Sequence, residues 1–252
     1  MVRLGGPSGV PEYPAIPDRF AREFEMIVFD FEQYAGQAGI YCPGQDDLSA
    51  SIVRNGIWDG YETVLALDVL TSVDGCLVDV GAHLGWYSLL AASCGRDAIA
   101  VEADAEVLQV AMFSMSVNGW GKQFFRVPVQ VGPRTPPLDV RAKDSFEPRP
   151  VALWKIDIEG DEQYAIHGPL LGRARHILLE VSPCFNDSYP ALLERIAAAG
   201  YSLYVVPSKP PASVRVAFEA DPWATLRQYP VGDPAAFCAA IRQENVWCIL
   251  ND

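Results

Sequence analysis

The sequence predicts an α/β fold built on a doubly wound, mostly parallel sheet, and three stretches predict it. Residues 76–104, CLVDVGAHLGWYSLLAASCGRDAIAVEAD, read as strand, glycine turn, helix and second strand in direct succession. Val151–Gly160, VALWKIDIEG, is a second apolar run that closes on acids, and His176–Val181, HILLEV, is a third. Short apolar runs alternating with helical segments are the pattern of strands buried on both faces of a parallel sheet.

Taken in order, residues 1–19 carry Pro7, Pro11, Pro14 and Pro17 among glycines, which suits a tail or surface arm and no helix. Met26–Phe31 and Ala38–Cys42 are β-prone runs around a glycine turn, a hairpin that leads into the main domain. The division expected is therefore 1–45 as an N-terminal tail and hairpin extension, and 46–252 as the main domain. Asp46 and Asp47 cap a helix through about Val53, and Gly60-Tyr61-Glu62 opens another through about Leu70. Cys76–Val80 is the first core strand, Trp86–Cys94 a helix stopped by Gly95, and Ala98–Val101 the second strand. Asp104 caps a helix that ends at Asn118-Gly119. Phe124–Val131 is the third strand, and Pro128 inside it argues for a sheet edge.

Residues 132–150 read as a loop with a short extended piece near Leu138–Ala142. The strand VALWKIDIEG follows, then HILLEV, then a helix from Asp187-Ser188 with Pro190 in its first turn and Gly200 at its stop. Tyr201–Val206 and Val246–Leu250 are the last strands. Between them, residues 207–232 are proline-rich and aromatic without periodicity, and Asp233–Arg242 forms a short helix. An edge third strand fits the order 3-2-1-4, in which ligands sit beyond the carboxyl ends of the strands where the order reverses.

Candidate site residues cluster at those ends. Gly81 and Gly85 flank Ala82, His83 and Leu84 in a turn sharp enough to admit a ligand close to the backbone. Glu102, 21 positions after Gly81, ends the second strand, where a carboxylate accepts ribose hydroxyls. A dinucleotide fingerprint starting at Gly81 would need glycines at His83 and Trp86, so that reading fails at two of three positions. The pattern D-x-G-x-x-x-G from Asp79 instead suits a ligand with an amino group and a sulfonium and no phosphate. S-adenosylmethionine is such a ligand, and Tyr87 or Trp86 offers its cation a ring face. In an extended strand, Lys155, Asp157 and Glu159 share one face, and acids there are expensive to bury unless paired or used. Glu180 repeats that logic at the end of HILLEV.

A formal charge of -13 disfavours DNA or RNA as a partner, since neutralising phosphates requires clustered Lys and Arg. No segment reaches the roughly 18 to 20 apolar residues of a membrane span, and the N-terminus lacks a basic region followed by an apolar core, so the expected location is cytoplasmic. Six cysteines without a C-x-x-C read as reduced thiols. No repeat and no oligomerisation signal is visible.

VDVGAHLGWYSLLAA, IAVEAD, WKIDIEGDE and ILLEVSP, in that order, resemble the FkbM family of S-adenosylmethionine-dependent methyltransferases, over about Asp47 to Asn251. The chain departs from the family pattern in a short segment before WKIDIEG and in His83, where asparagine is expected. The resemblance implies a Rossmann-like class I methyltransferase sheet of order 3-2-1-4-5-7-6 with its last strand antiparallel. It implies a cofactor site of Asp79, Gly81, Ala82, His83, Gly85, Tyr87 and Ser88 around the methionine, with Glu102 on the ribose and Ala103 and Asp104 by the adenine. It also brings Glu62 near the cofactor's amino group, although a first-turn acid at a helix N-terminus has a structural reading of equal weight. Asp144-Ser145-Phe146 resembles a short structural motif of the family.

The implied acceptor is a small molecule or glycan: a hydroxyl of a sugar, glycolipid or secondary metabolite. Its proton would pass to Asp157, Glu159 or His83, with Lys155 and Glu180 orienting it. A divalent metal held by the strand-end acids is a further route, disfavoured because no dense oxygen-ligand loop is visible. The competing readings are a non-catalytic S-adenosylmethionine-binding subunit and a nicotinamide-dependent oxidoreductase.

Overall fold

The computed structural model describes residues 25–31, 36–43, 46–134, 150–166, 171–207 and 212–251. The expected tail at 1–19, the extended piece near 138–142 and the Asp144-Ser145-Phe146 segment lie outside them. Strands β1 (Glu25–Phe31) and β2 (Gly36–Cys42) pair antiparallel as a separate two-stranded sheet. Helices α1 (Asp47–Asn55) and α2 (Gly60–Ser72) follow, then β3 (Cys76–Val80), α3 (Trp86–Ser93), β4 (Ala98–Glu102), α4 (Ala105–Val117) and β5 (Phe124–Pro128). The second half runs β6 (Val151–Ile156), α5 (Glu162–Ala165), β7 (Ala174–Val181), α6 (Tyr189–Ala198), β8 (Tyr201–Val206), α7 (Ala212–Ala220), α8 (Pro222–Leu226), α9 (Pro234–Ala240) and β9 (Glu244–Leu250).

Seven of these strands form one sheet of order β5-β4-β3-β6-β7-β9-β8. The first five pair in parallel, whereas β9 runs antiparallel between β7 and β8. This is the Rossmann-like class I methyltransferase order expected from the sequence, with the reversal of strand order between β3 and β6.

Alternation of side chains through the pleat divides the interior into two layers. Leu77, Ala98, Ala100, Leu153, Leu178 and Trp247 face a core shared with α2, α3 and α4. Val78, Val80, Ile99, Trp154, Ile156 and Leu179 face the other, shared with α6 and α9. The hairpin joins the first layer: Ile40, Tyr41 and Cys42 are buried, and α4 fastens β2 through Asn118 Oδ1, which accepts the Gly39 N–H at 2.8 Å.

Three expectations change. The third strand stops at Pro128 instead of Val131, because proline brings no N–H to the ladder; Val129 N–H still reaches the Glu102 carbonyl at 3.0 Å. The strand from Val151 ends at Ile156, and Glu159 has φ 54, so strand alternation does not extend to it. The segment 207–232 holds α7 and α8, where the sequence suggested only irregular chain. Pro222 sits in the first turn of α8, where its missing N–H has no intrahelical partner to lose, and Asp221 caps that turn by accepting the Ala224 N–H at 2.9 Å.

Candidate functional site

The register places four predicted residues in one row. Val80 pairs with Val101 on one side and Ile156 on the other, and Ile156 pairs with Leu179. The next residue of each strand is therefore at one level: Glu102, Gly81, Asp157 and Glu180. Three strand spacings separate the outer two, roughly 14 Å. A cavity of about 560 Å³ opens over this row, within the size range of small-molecule sites.

At the β4 end, Glu102 is fixed by the backbone. Its Oε2 accepts the His83 N–H and its Oε1 the Asp104 N–H, each at 3.0 Å. His83 holds φ 48 to make that bond. Asp104 serves as the N-cap of α4, its Oδ1 accepting from Glu106 N–H at 2.9 Å and Val107 N–H at 3.3 Å. Val80, Val101, Val129 and Val131 give this end apolar walls.

The glycine turn works differently from the expectation. A Cβ on Gly81, which has φ 76, would lie 1.7 Å from the Asp157 carbonyl oxygen, and one on Gly85 would lie 3.0 Å from Ala111 Cβ. These glycines let β3 close on the end of β6 and α3 close on α4, so their first task is packing. Asp79 is fully buried behind the turn. Its Oδ2 accepts the Ser88 hydroxyl at 2.7 Å and the Ser88 N–H at 3.1 Å, capping α3 from the preceding strand because Gly85 has no side chain to do so. Its Oδ1 has no hydrogen-bond partner, and burial pushes its carboxyl pKa up, partly offset by Lys155 and Ser88.

The β6 and β7 end is a charged knot. Lys155 Nζ donates to the Gly81 carbonyl at 3.1 Å, pairs with Asp157 Oδ2 at 3.2 Å and lies 5.6 Å from the Tyr87 ring centre. Burial alone would lower its pKa, but Asp157 and Asp79 reverse that and the net shift is upward. Glu180 is 8% exposed; Gln243 Nε2 donates to its Oε1, while its Oε2 has no donor. Burial first and the adjacent Asp157 second push the Glu180 carboxyl up to about 7.

Of the predicted residues, Gly81, Ala82, His83, Tyr87, Glu102, Ala103, Lys155, Asp157, Glu159 and Glu180 line the cavity. Glu159 is exposed at its edge. Asp79, Gly85, Ser88 and Asp104 stand behind the lining and hold its shape. Glu62, 6% exposed, is also behind it: Asn245 Nδ2 donates to Glu62 Oε1 at 2.9 Å, and burial followed by nearby Asp59 raises its carboxyl to about 7.

Sequence reasoning missed Asp59, whose Oδ2 accepts the Tyr87 hydroxyl at 3.1 Å and whose carboxyl burial pushes up to about 6, with Lys155 opposing. An Asp-Gly pair between two helical runs was its only signal. Also missed were Trp58, Asp161 and Gln243, which line the cavity from three separate loops. Among the described residues no group of three or more His, Cys, Asp or Glu is arranged to hold a metal ion, and all six cysteines are free thiols.

Sheet order and a strand-end site at the reversal define a class I methyltransferase fold. The chain is similar to several solved methyltransferase structures. Magnesium protoporphyrin IX methyltransferase from Synechocystis, with bound S-adenosylmethionine, matches at 14% identity and TM-score 0.48, over 82% of this chain and 86% of that one. The 16S rRNA N2 G1207 methyltransferase of T. thermophilus, in complex with AdoMet and guanosine, matches at 13% identity and TM-score 0.48, over 91% of this chain and 51% of that one. Precorrin-6y C5,15-methyltransferase from Geobacter metallireducens matches at 13% identity and TM-score 0.44, over 88% and 95%. At these identities and TM-scores the likeness adds nothing about what this chain does. No family model matches the sequence, and no curated protein matches it.

Proposed function

We propose that the protein is an S-adenosylmethionine-dependent methyltransferase acting on a hydroxyl of a small molecule or glycan, as its resemblance to the FkbM family implies. The observation that carries this reading is the row Glu102, Gly81, Asp157, Glu180 beneath one cavity at the point of strand reversal. The residues fit the cofactor: an acid fixed by two N–H groups where a ribose belongs, apolar walls beside it, and an anionic far end for a cationic sulfur.

Glu102 would hold the ribose, Ala103 and the valines the adenine, and the turn 81–83 with Tyr87 the methionine end. When bound, S-adenosylmethionine would supply an electrophilic methyl group, the electron pair of the carbon–sulfur bond staying on the sulfur of S-adenosylhomocysteine. The chain's own work is at the acceptor oxygen. Glu180, beside Asp157, takes the hydroxyl proton, its carboxyl pushed up to about 7, a value that suits a general base. Lys155, held by Gly81 and Asp157, keeps Asp157 aimed at the cavity. His83 is tied by its N–H to Glu102 and so belongs to the ribose end; Asp157 and Glu180 are the better base. Positioning two reactants in one cavity carries much of such a displacement.

Calorimetry with S-adenosylmethionine and with NAD tests the assignment. S-adenosylmethionine binding is expected; NAD binding without it overturns the reading. The nicotinamide alternative already lacks support at Trp86, buried to 1% exposure at the first position of α3 where the fingerprint needs glycine.

A further inference from the structure

Strand β9 runs antiparallel to its neighbours, so its first residues arrive at the strand ends where the cavity lies. Asn245 pairs with Glu180 across the ladder, and Gln243 comes two residues earlier, just before the strand begins. Gln243 is exposed, yet its Nε2 donates to Oε1 of the buried Glu180, and both residues line the cavity. A long side chain at the surface gives up rotamer freedom to be held in one place, and a hydrogen bond to a charged acceptor offsets that loss.

The other groups that face Glu180 are engaged elsewhere or act against its charge. Asp157, at the end of β6, is a second carboxyl and disfavours a charge on the first. Lys155 is paired with Asp157 and donates to the Gly81 carbonyl, and Tyr189 of α6 gives its hydroxyl to Glu162 at 2.5 Å. Strand β9 repeats the amide contact at Asn245, whose Nδ2 donates to Glu62 Oε1 at 2.9 Å, but Glu62 stands behind the cavity lining. A carboxamide suits a base because it donates a hydrogen bond without a charge and without a proton to lose. Its bond favours the ionised carboxyl, whereas burial and Asp157 oppose it.

We propose that Gln243 is the positioning residue of Glu180: from the start of β9 its carboxamide holds the carboxyl at the cavity wall and keeps it ready to accept the proton of the acceptor hydroxyl. This inference rests on the methyltransferase reading.

The test follows the Glu180 carboxyl carbon by carbon NMR against pH in the whole chain, the resonance being the one missing from E180Q. Q243M keeps the length of the side chain and removes the donor, and Q243L is an independent second variant; melting curves check that each is folded. Both are expected to raise the Glu180 pKa by about one unit. N245L removes the amide from Glu62 instead and is expected to leave Glu180 unmoved. An unmoved Glu180 in Q243M and Q243L, or an equal rise in N245L, overturns the inference. Calorimetry of the wild type with S-adenosylmethionine separates the two claims: failure to bind removes the methyltransferase reading, whereas binding together with an unmoved Glu180 removes this inference alone.

Discussion

Glu102 is poised before a ligand arrives, because two backbone N–H groups fix its carboxylate. Hydrogen bonds to a charged group contribute about 1.5–3 kcal/mol each. Glu102→Ala is therefore expected to weaken S-adenosylmethionine binding by roughly ten- to a hundredfold. Glu102→Gln should approach that loss, since its amide would present N–H to the N–H of either His83 or Asp104. Calorimetry on both variants checks this, and full binding by Glu102→Gln would show that the carboxylate does not hold the ligand. Asp79 argues differently. Its burial and its bonds to Ser88 assign it to the cap of α3, so Asp79→Asn, which still offers an oxygen to the Ser88 N–H, should melt close to wild type. Asp79→Ala removes the cap and is expected to lose about 1–2 kcal/mol in denaturant unfolding.

At the scale of elements, the turn after β3 separates two reasons for a glycine. A Cβ on Gly81 meets the Asp157 carbonyl at 1.7 Å, while Gly95, also at positive φ, has nothing within 4 Å. Gly95→Ala should cost only about 1–2 kcal/mol, the strain of the left-handed conformation. Gly81→Ala should exceed 4 kcal/mol or prevent folding, because β3 and β6 must part to admit the methyl. Comparable melting temperatures for the two would refute the packing account. The glycine was legible in the sequence, but its neighbour was not, since Asp157 is 76 residues away along the chain. Strands β3, β4, β6 and β7 were legible because burial on both faces makes them apolar runs. Helix α8 was not, because Pro222 reads as a breaker until its place in a first turn is known. Glu159 was read by strand alternation, which fails once φ turns positive after Ile156.

For the whole molecule, the burial of acids sets how stability responds to pH. Glu62 and Glu180 have ordinary values near 4.5 and folded values of about 7, both raised chiefly by burial. The folded state then holds these protons more tightly than the unfolded chain. Their contribution to stability is full below about 4.5, declines as pH rises, and is spent above about 7. A rise of that size is worth at most roughly 3 kcal/mol per group. Glu180→Gln is accordingly expected to stabilise the ligand-free protein at pH 8 and to change little at pH 4.5. A cation that settles beside Glu180 lowers its pKa and offsets that part of the loss. The melting-temperature gain from S-adenosylmethionine should therefore grow between pH 5.5 and pH 8, and S-adenosylhomocysteine, which lacks the sulfonium, should show a shallower slope. Parallel slopes for the two ligands would mean that the acids respond to the shared ammonium and not to the sulfur.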